Sequence, residues 1–160
     1  MAPLFPVEVK TDEDVLFCER AKLYHFDPSV NQMKERGIGQ MKILQHRTTK
    51  TYRILMCREQ VSKICANHLI SSQMELKPHQ ASENAYIWSA MDFADGQGKN
   101  ETLCVRFKSN EQAKNFAKVF NQAKEMILNR SGNFLSIGKI SLDNATKSKS
   151  DRIQNGMNNC

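Results

Sequence analysis

Tyr86-Ile87-Trp88-Ser89-Ala90-Met91-Asp92-Phe93, then Asp95-Gly96-Gln97-Gly98, then Thr102-Leu103-Cys104-Val105-Arg106-Phe107-Lys108 is the stretch on which the fold turns. Tyr86, Trp88 and Ala90 fall on one face of an extended chain; Ile87, Ser89 and Met91 fall on the other. Asp95 to Gly98 is the clearest turn in the chain. Beyond it Leu103, Val105 and Phe107 alternate inward, with Cys104, Arg106 and Lys108 outward. The stretch therefore predicts a hairpin with one buried face. Asp92 and Asp95 flank the turn, and paired carboxylates there read as turn caps before they read as a catalytic pair.

The next residues change period. Ser109 with Gln112 is a capping-box pattern. Ala113, Phe116, Ala117, Phe120, Ala123, Lys124 and Ile127 then recur at helical spacing, all but Lys124 apolar. Asn129 to Gly132 supplies a stop. Upstream, Ala21–Phe26, Met41–His46 and Tyr52–Cys57 also read as strands, the last two joined by the short polar link 47–50. Met74–Lys77 is a short strand ending at Pro78. Residues 59–66 fit helix or strand equally. The expected class is mainly β with a C-terminal α-helix, and such a helix covers an open face or mouth of the sheet.

The 160 residues suffice for one domain with its own core. Residues 1–6, with two prolines, read as an extended lead-in and 7–130 as the domain. Residues 131–160 are rich in Asn, Ser and Lys and read as a largely disordered tail. Net charge is +6, which favours an acidic partner without choosing its class. Neither a signal peptide nor an apolar run of membrane-spanning length is visible. The five cysteines (Cys18, Cys57, Cys65, Cys104 and Cys160) make no CxxC pair. The expectation is reduced thiols and no metal site.

Sequence signatures of catalysis are absent: no P-loop, no G-x-S-x-G, no H-E-x-x-H. No enzyme activity and no cofactor are expected. Cys65 and His68 lack a third group, so they read as structural. Arg53, Arg58, Lys63, Arg106 and Lys108 lie on or beside strands. They make one basic surface if their faces adjoin, and separate solvated charges if not. Too few aromatics accompany them to stack nucleic acid bases.

Met33-Lys34-Glu35-Arg36-Gly37-Ile38-Gly39 crowds three charges beside two glycines, the signature of a tight turn or of close backbone approach. Lys34-Glu35-Arg36-Gly37-Ile38-Gly39 followed by Lys42-Ile43-Leu44 resembles the Lys-Glu-Arg-Gly segment of the Ran-binding domain family. Arg58-Glu59-Gln60-Val61, Cys65-Ala66-Asn67-His68, Trp88 to Gly96 and Val105-Arg106-Phe107-Lys108 resemble it in the same order. The resemblance spans roughly residues 7–130.

It implies a pleckstrin-homology-like barrel of two orthogonal antiparallel sheets with a C-terminal helix. It implies a non-catalytic module that binds the small GTPase Ran in its GTP form, assisting GTPase activation and release from transport receptors. The GTPase-activating protein and those receptors would be indirect partners. The expected setting is the cytoplasm and the nuclear envelope or pore, with the nucleus as a further compartment. No nucleic acid and no membrane insertion are expected.

The implied contacts are Asp12, Glu13 and Asp14 on an acidic arm, then Met33, Lys34, Glu35, Arg36 and Gly37, with Gly37 and Gly39 setting the turn that presents the charges. Arg53, Arg58, Lys63, Asn67, His68, Trp88, Arg106 and Lys108 complete the set. Met33 stands where the family commonly has Trp, and Cys57 where it typically has Arg, so affinity is expected to be lower than in typical members. The alternative is a pleckstrin-like peptide-binding module independent of Ran. A phosphoinositide-binding module rests on fold and charge alone.

Overall fold

The computed structural model describes Lys10 and residues 12–135, the last five as helix backbone only. Seven strands precede one helix: β1 (Glu13–Asp27), β2 (Gln32–His46), β3 (Tyr52–Arg58), β4 (Ile64–Leu69), β5 (Lys77–Pro78), β6 (Ala85–Asp92), β7 (Lys99–Phe107) and α1 (Asn110–Leu135). Every pairing is antiparallel, and hydrogen bonding runs through one sheet in the order β4-β3-β2-β1-β7-β6-β5. The two expected sheets are thus halves of a single ladder, shared through the long β1.

Local chemistry explains the turns. Asp27 Oδ1 accepts from the Ser29 amide at 3.0 Å and hydroxyl at 2.7 Å, which folds the chain between β1 and β2. Gly96 takes φ 89° in the β6–β7 turn, a conformation that glycine adopts without steric cost. The ambiguous 59–66 segment resolves into a turn and β4, with Ser62 at φ 52°.

β1 and β2 are each 15 residues long, and their register slips twice, between Val15 and Phe17 and between Leu23 and Tyr24. Extra residues of this kind bend a strand and raise its twist. The opposite end of the ladder folds back on itself: the Phe93 amide donates to the Asn67 carbonyl at 2.9 Å, tying the end of β6 to β4.

The inward faces of the sheet meet α1. Leu103, Val105 and Phe107 are buried, as their alternation predicts; Cys104, expected outward, is also buried. Ala113, Phe116, Phe120 and Ala123 carry the buried stripe of α1. Phe17, Trp88, Phe107, Phe116 and Phe120 stack edge-on or tilted, with centroids 5.4 to 6.1 Å apart. Each fully buried ring contributes about 2–3 kcal/mol. The Ser109 Oγ accepts the Gln112 amide at 3.2 Å, so the expected cap forms, while Gln112 Oε1 reaches back one residue further, to the Lys108 amide at 3.2 Å. The helix runs past the expected stop at 129–132 and ends at Leu135. The lead-in, and the tail beyond 135, lie outside the described residues.

Candidate protein-binding surface

Gly37 and Gly39 sit within β2, not in a turn. Their role is the other one glycine can play. A Cβ on Gly39 would stand 1.9 Å from the Cys57 carbonyl oxygen, so the bare backbone lets β2 lie against β3. A Cβ on Gly37 would meet Arg58 Cγ at 2.8 Å and Cys65 Sγ at 3.0 Å. The charges beside them stand on strand, and they divide by direction. Lys34 and Glu35 are exposed, bridged to Asp27 at 3.1 Å and to Lys22 at 3.8 Å. The Arg36 side chain is only 10% exposed.

Arg36 points into a buried polar corner built on Asp92. The Asp92 carboxylate accepts from the Asn67 amide at 2.8 Å, His68 Nδ1 at 2.9 Å, the Ala94 amide at 3.0 Å and Arg36 Nη2 at 3.3 Å. Trp88 Nε1 donates to His68 Nε2 at 3.0 Å. That bond assigns the proton of neutral His68 to Nδ1, the atom facing Asp92. Burial alone pushes the Asp92 carboxyl up, but the bonds from His68, Asn67 and Ala94 outweigh it and hold the group below its ordinary range.

A second corner lies nearby. Arg53 grips Glu13 with two bonds, at 2.7 and 2.9 Å, and reaches Asn67 Oδ1 at 2.9 Å. Glu13 is buried, which raises its carboxyl; the Arg53 bonds more than compensate and lower it.

The sixteen residues expected to contact a partner therefore fall into two sets. Glu13, Arg36, Gly37, Arg53, Asn67, His68 and Trp88 are buried or turned inward, spent on each other and on Asp92. Asp12, Asp14, Met33, Lys34, Glu35, Arg58, Lys63, Arg106 and Lys108 remain wholly or partly accessible. Asp12 and Asp14 pair with His46 and Arg47, both at 2.8 Å.

The single basic surface is not formed. Arg53 is consumed inside. Arg58 and Lys63 lie together, with the Arg58 amide on the Lys63 carbonyl at 2.7 Å, while Arg106 and Lys108 belong to the β7 side, three strands along the sheet from β3. That separation is about 14 Å at the usual strand spacing. Arg106 stands opposite Lys22, and adjacent like charges favour an acidic neighbour. On the Arg58 side lies a cavity of about 350 Å³ walled by Arg20, Glu35, Arg36, Gly37, Arg58 and Glu59. Arg20 holds Glu59 with bonds of 2.6 to 3.2 Å.

Sequence reasoning read Asp92 only as a turn cap, and it missed Glu101, whose carboxylate stands 3.8 Å from Arg36 and 3.5 Å from His25. The signal was present for Asp92: it continues the inward parity of Trp88 and Ala90, so a carboxylate there points to the core. Among the described residues Cys57, Cys65 and Cys104 are free thiols, as expected of them. Burial raises Cys65 and Cys104 to about 11, which leaves them unreactive. Among the described residues no group of His, Cys, Asp and Glu could hold a metal, and no helix is long and apolar enough to cross a membrane.

The model of the RanBP1 domain matches residues 7–126. The chain belongs to the RanBP1 domain family. Its relatives include the human E3 SUMO-protein ligase RanBP2, 53% identical over 125 residues, which is 76% of this chain and 4% of that protein. Human RanBP2-like and GRIP domain-containing protein 4 is 49% identical over 121 residues, covering 74% of this chain and 7% of that protein. The chain thus spans a small fraction of these relatives. Among solved structures, the Ran-binding domain of the nuclear complex component Nup2 from Ashbya gossypii superposes with a TM-score of 0.63 at 26% identity, covering 72% of this chain and 98% of that one. The Dm DCP1 EVH1 domain, solved with an XRN1 peptide, shares the fold at a TM-score of 0.51 and 12% identity, covering 76% of this chain and 81% of that one. The RanBP1 domain here has the pleckstrin-homology-like architecture: an antiparallel seven-stranded sheet with one C-terminal helix.

Proposed function

We propose that this RanBP1 domain binds Ran in its GTP form, assisting GTPase activation and release of Ran from transport receptors at the cytoplasmic and nuclear-pore side of transport. The family match over residues 7–126 carries the reading; the exposed mixed-charge rim is consistent with it. Lys34, Glu35, Arg58, Lys63, Arg106 and Lys108 offer side chains to the partner, with Met33 beside them and Asp12 and Asp14 at the start of β1. The inward set acts by holding that rim in place. Two separate cation groups suit a partner that presents acidic side chains at more than one point. The domain works by binding alone, with no cofactor.

Titration of Ran loaded with GTP, then with GDP, tests the proposal. The expected result is strong preference for the GTP form. Equal affinity for both forms would overturn it.

The second reading, a peptide module independent of Ran, draws on one observation. Leu69, Met91 and Phe93, between 48% and 59% exposed, border an apolar groove of about 400 Å³. An extended peptide bound there leaves Ran binding intact on this reading. Absence of any partner from a Ran-depleted extract would remove it.

A further inference from the structure

Glu35 shares the strand parity of Gly37, Gly39 and Met41, all buried, yet it is exposed, and the register of β1 and β2 shows why. Leu23 pairs with Gly37 and Tyr24 with Glu35, so Arg36 has no partner across the ladder. Arg36 is the extra residue of a bulge. A bulge re-aims the side chain it carries and changes the phase of the strand beyond it. Here it turns Arg36 inward while Glu35 and Lys34, the next residues along, stay exposed.

Something must hold the bulged residue, since an inward guanidinium is costly without a partner. Among the described residues, the guanidinium of Arg36 makes one hydrogen bond, Nη2 to Asp92 Oδ2. Nη1 lies 3.8 Å from Glu101 Oε2 but makes no hydrogen bond. Asp92 is itself immobilised. Its side chain is 1% exposed, and its oxygens are fixed by two backbone amides and by His68, which Trp88 in turn orients. The corner that ties β4 to β6 is thus also the anchor of the β2 bulge.

We infer that Asp92 is a positioning residue for the binding surface: by holding Arg36 inward it stabilises the bulge, and the bulge sets the phase in which Lys34 and Glu35 face a partner. The inference rests on the Ran-binding reading for its functional arm but not for its structural one. Lys34 and Glu35 touch the partner; Asp92 acts on it only through Arg36.

The structural arm needs no partner. Backbone chemical shifts of the ligand-free Asp92→Asn and Arg36→Gln proteins should change at residues 34–37 in both. Unchanged shifts at residues 34–37 in Arg36→Gln would overturn the inference whatever Ran does. In the functional arm, Ran-GTP is titrated into wild type, both single variants and the double variant, at a temperature where each is folded by circular dichroism. Each single variant should lose about tenfold in affinity, and the double should lose no more than the worse single, because one pathway is broken twice. Lys34→Ala, which should weaken wild type, should cost nothing further in the Asp92→Asn background. Losses that multiply, or an Asp92→Asn protein that binds like wild type, would contradict it. If Asp92→Asn does not fold, Arg36→Gln decides both arms, since it leaves three donors on Asp92. If wild type itself ignores Ran-GTP, the functional reading fails while the shift measurement still judges the bulge.

Discussion

Two parts of this domain are made of the same residue types and do opposite things. The corner around Asp92 gathers Arg36, His68, Trp88 and Asn67 out of solvent, with Arg53 and Glu13 beside it. The rim of Lys34, Glu35, Arg58, Lys63, Arg106 and Lys108 holds its charges in water. Exposed ion pairs such as Lys34–Asp27 are worth roughly 0–1 kcal/mol, whereas breaking a buried one costs several times that. Charge at the corner therefore maintains the fold, and charge at the rim stays accessible to solvent.

The comparison breaks most readily at Asp92. Asp92→Ala strands two backbone amides, His68 Nδ1 and Arg36 together, and should remove about 3–5 kcal/mol of unfolding free energy in urea titration. A loss below about 1 kcal/mol would place Asp92 with the rim. Gly39→Val should cost about 3 kcal/mol by the same measurement, since its side chain has no room against the Cys57 carbonyl. Trp88→Phe keeps an aromatic ring but deletes the donor to His68 Nε2, and should cost about 2 kcal/mol.

Acid titration separates the regions by a second route. The folded Asp92 carboxyl lies below its ordinary 3.8 and the folded Glu13 carboxyl below 4.5. A depressed carboxylate binds fewer protons folded than unfolded. Its stabilisation is therefore present above those ordinary values and lost as pH falls through the folded ones. Unfolding free energy should fall steeply below about pH 4.5, and Asp92→Asn should flatten that slope. Asp27, held to about 2 by Ser29 and Lys34, adds an exposed contribution at the acid end. An unchanged slope in Asp92→Asn would remove the corner from the acid response.

How far the sequence reveals this division depends on the distance over which each feature is set. The hairpin of β6 and β7 and the stripe of α1 were legible because alternation and helical period are local properties. The identity of the family was legible in the Lys34–Gly39 segment. The posture of those residues was not. Gly37 and Gly39 announce a backbone peculiarity without saying whether it is a turn or a close approach, and only the pairing of β2 with β3 decides. The bulge at Arg36 is likewise invisible until β1 is laid against β2. Asp92 does cap its turn, through the Ala94 amide, but its bonds to Asn67 and His68 are invisible until β4 is brought beside β6. The helix end at Leu135 overran a stop inferred from Asn129 to Gly132. Those residues lower helix propensity without forbidding helix.

The smallest expected effects belong to the rim. Arg106→Ala and Lys63→Ala should change unfolding free energy by no more than about 0.5 kcal/mol. Met33→Trp, which adds a large aromatic side chain beside Lys34, should raise affinity for Ran-GTP by about tenfold, or 1.4 kcal/mol.

The division between corner and rim is tested most directly by titrating Ran-GTP into the double variant Lys34→Glu, Arg106→Glu while following its thermal unfolding. The account predicts an affinity loss of at least about a hundredfold, some 2.7 kcal/mol, with the unfolding temperature unchanged. Wild-type affinity in that variant, or an affinity loss matched by loss of the folded state, would contradict it.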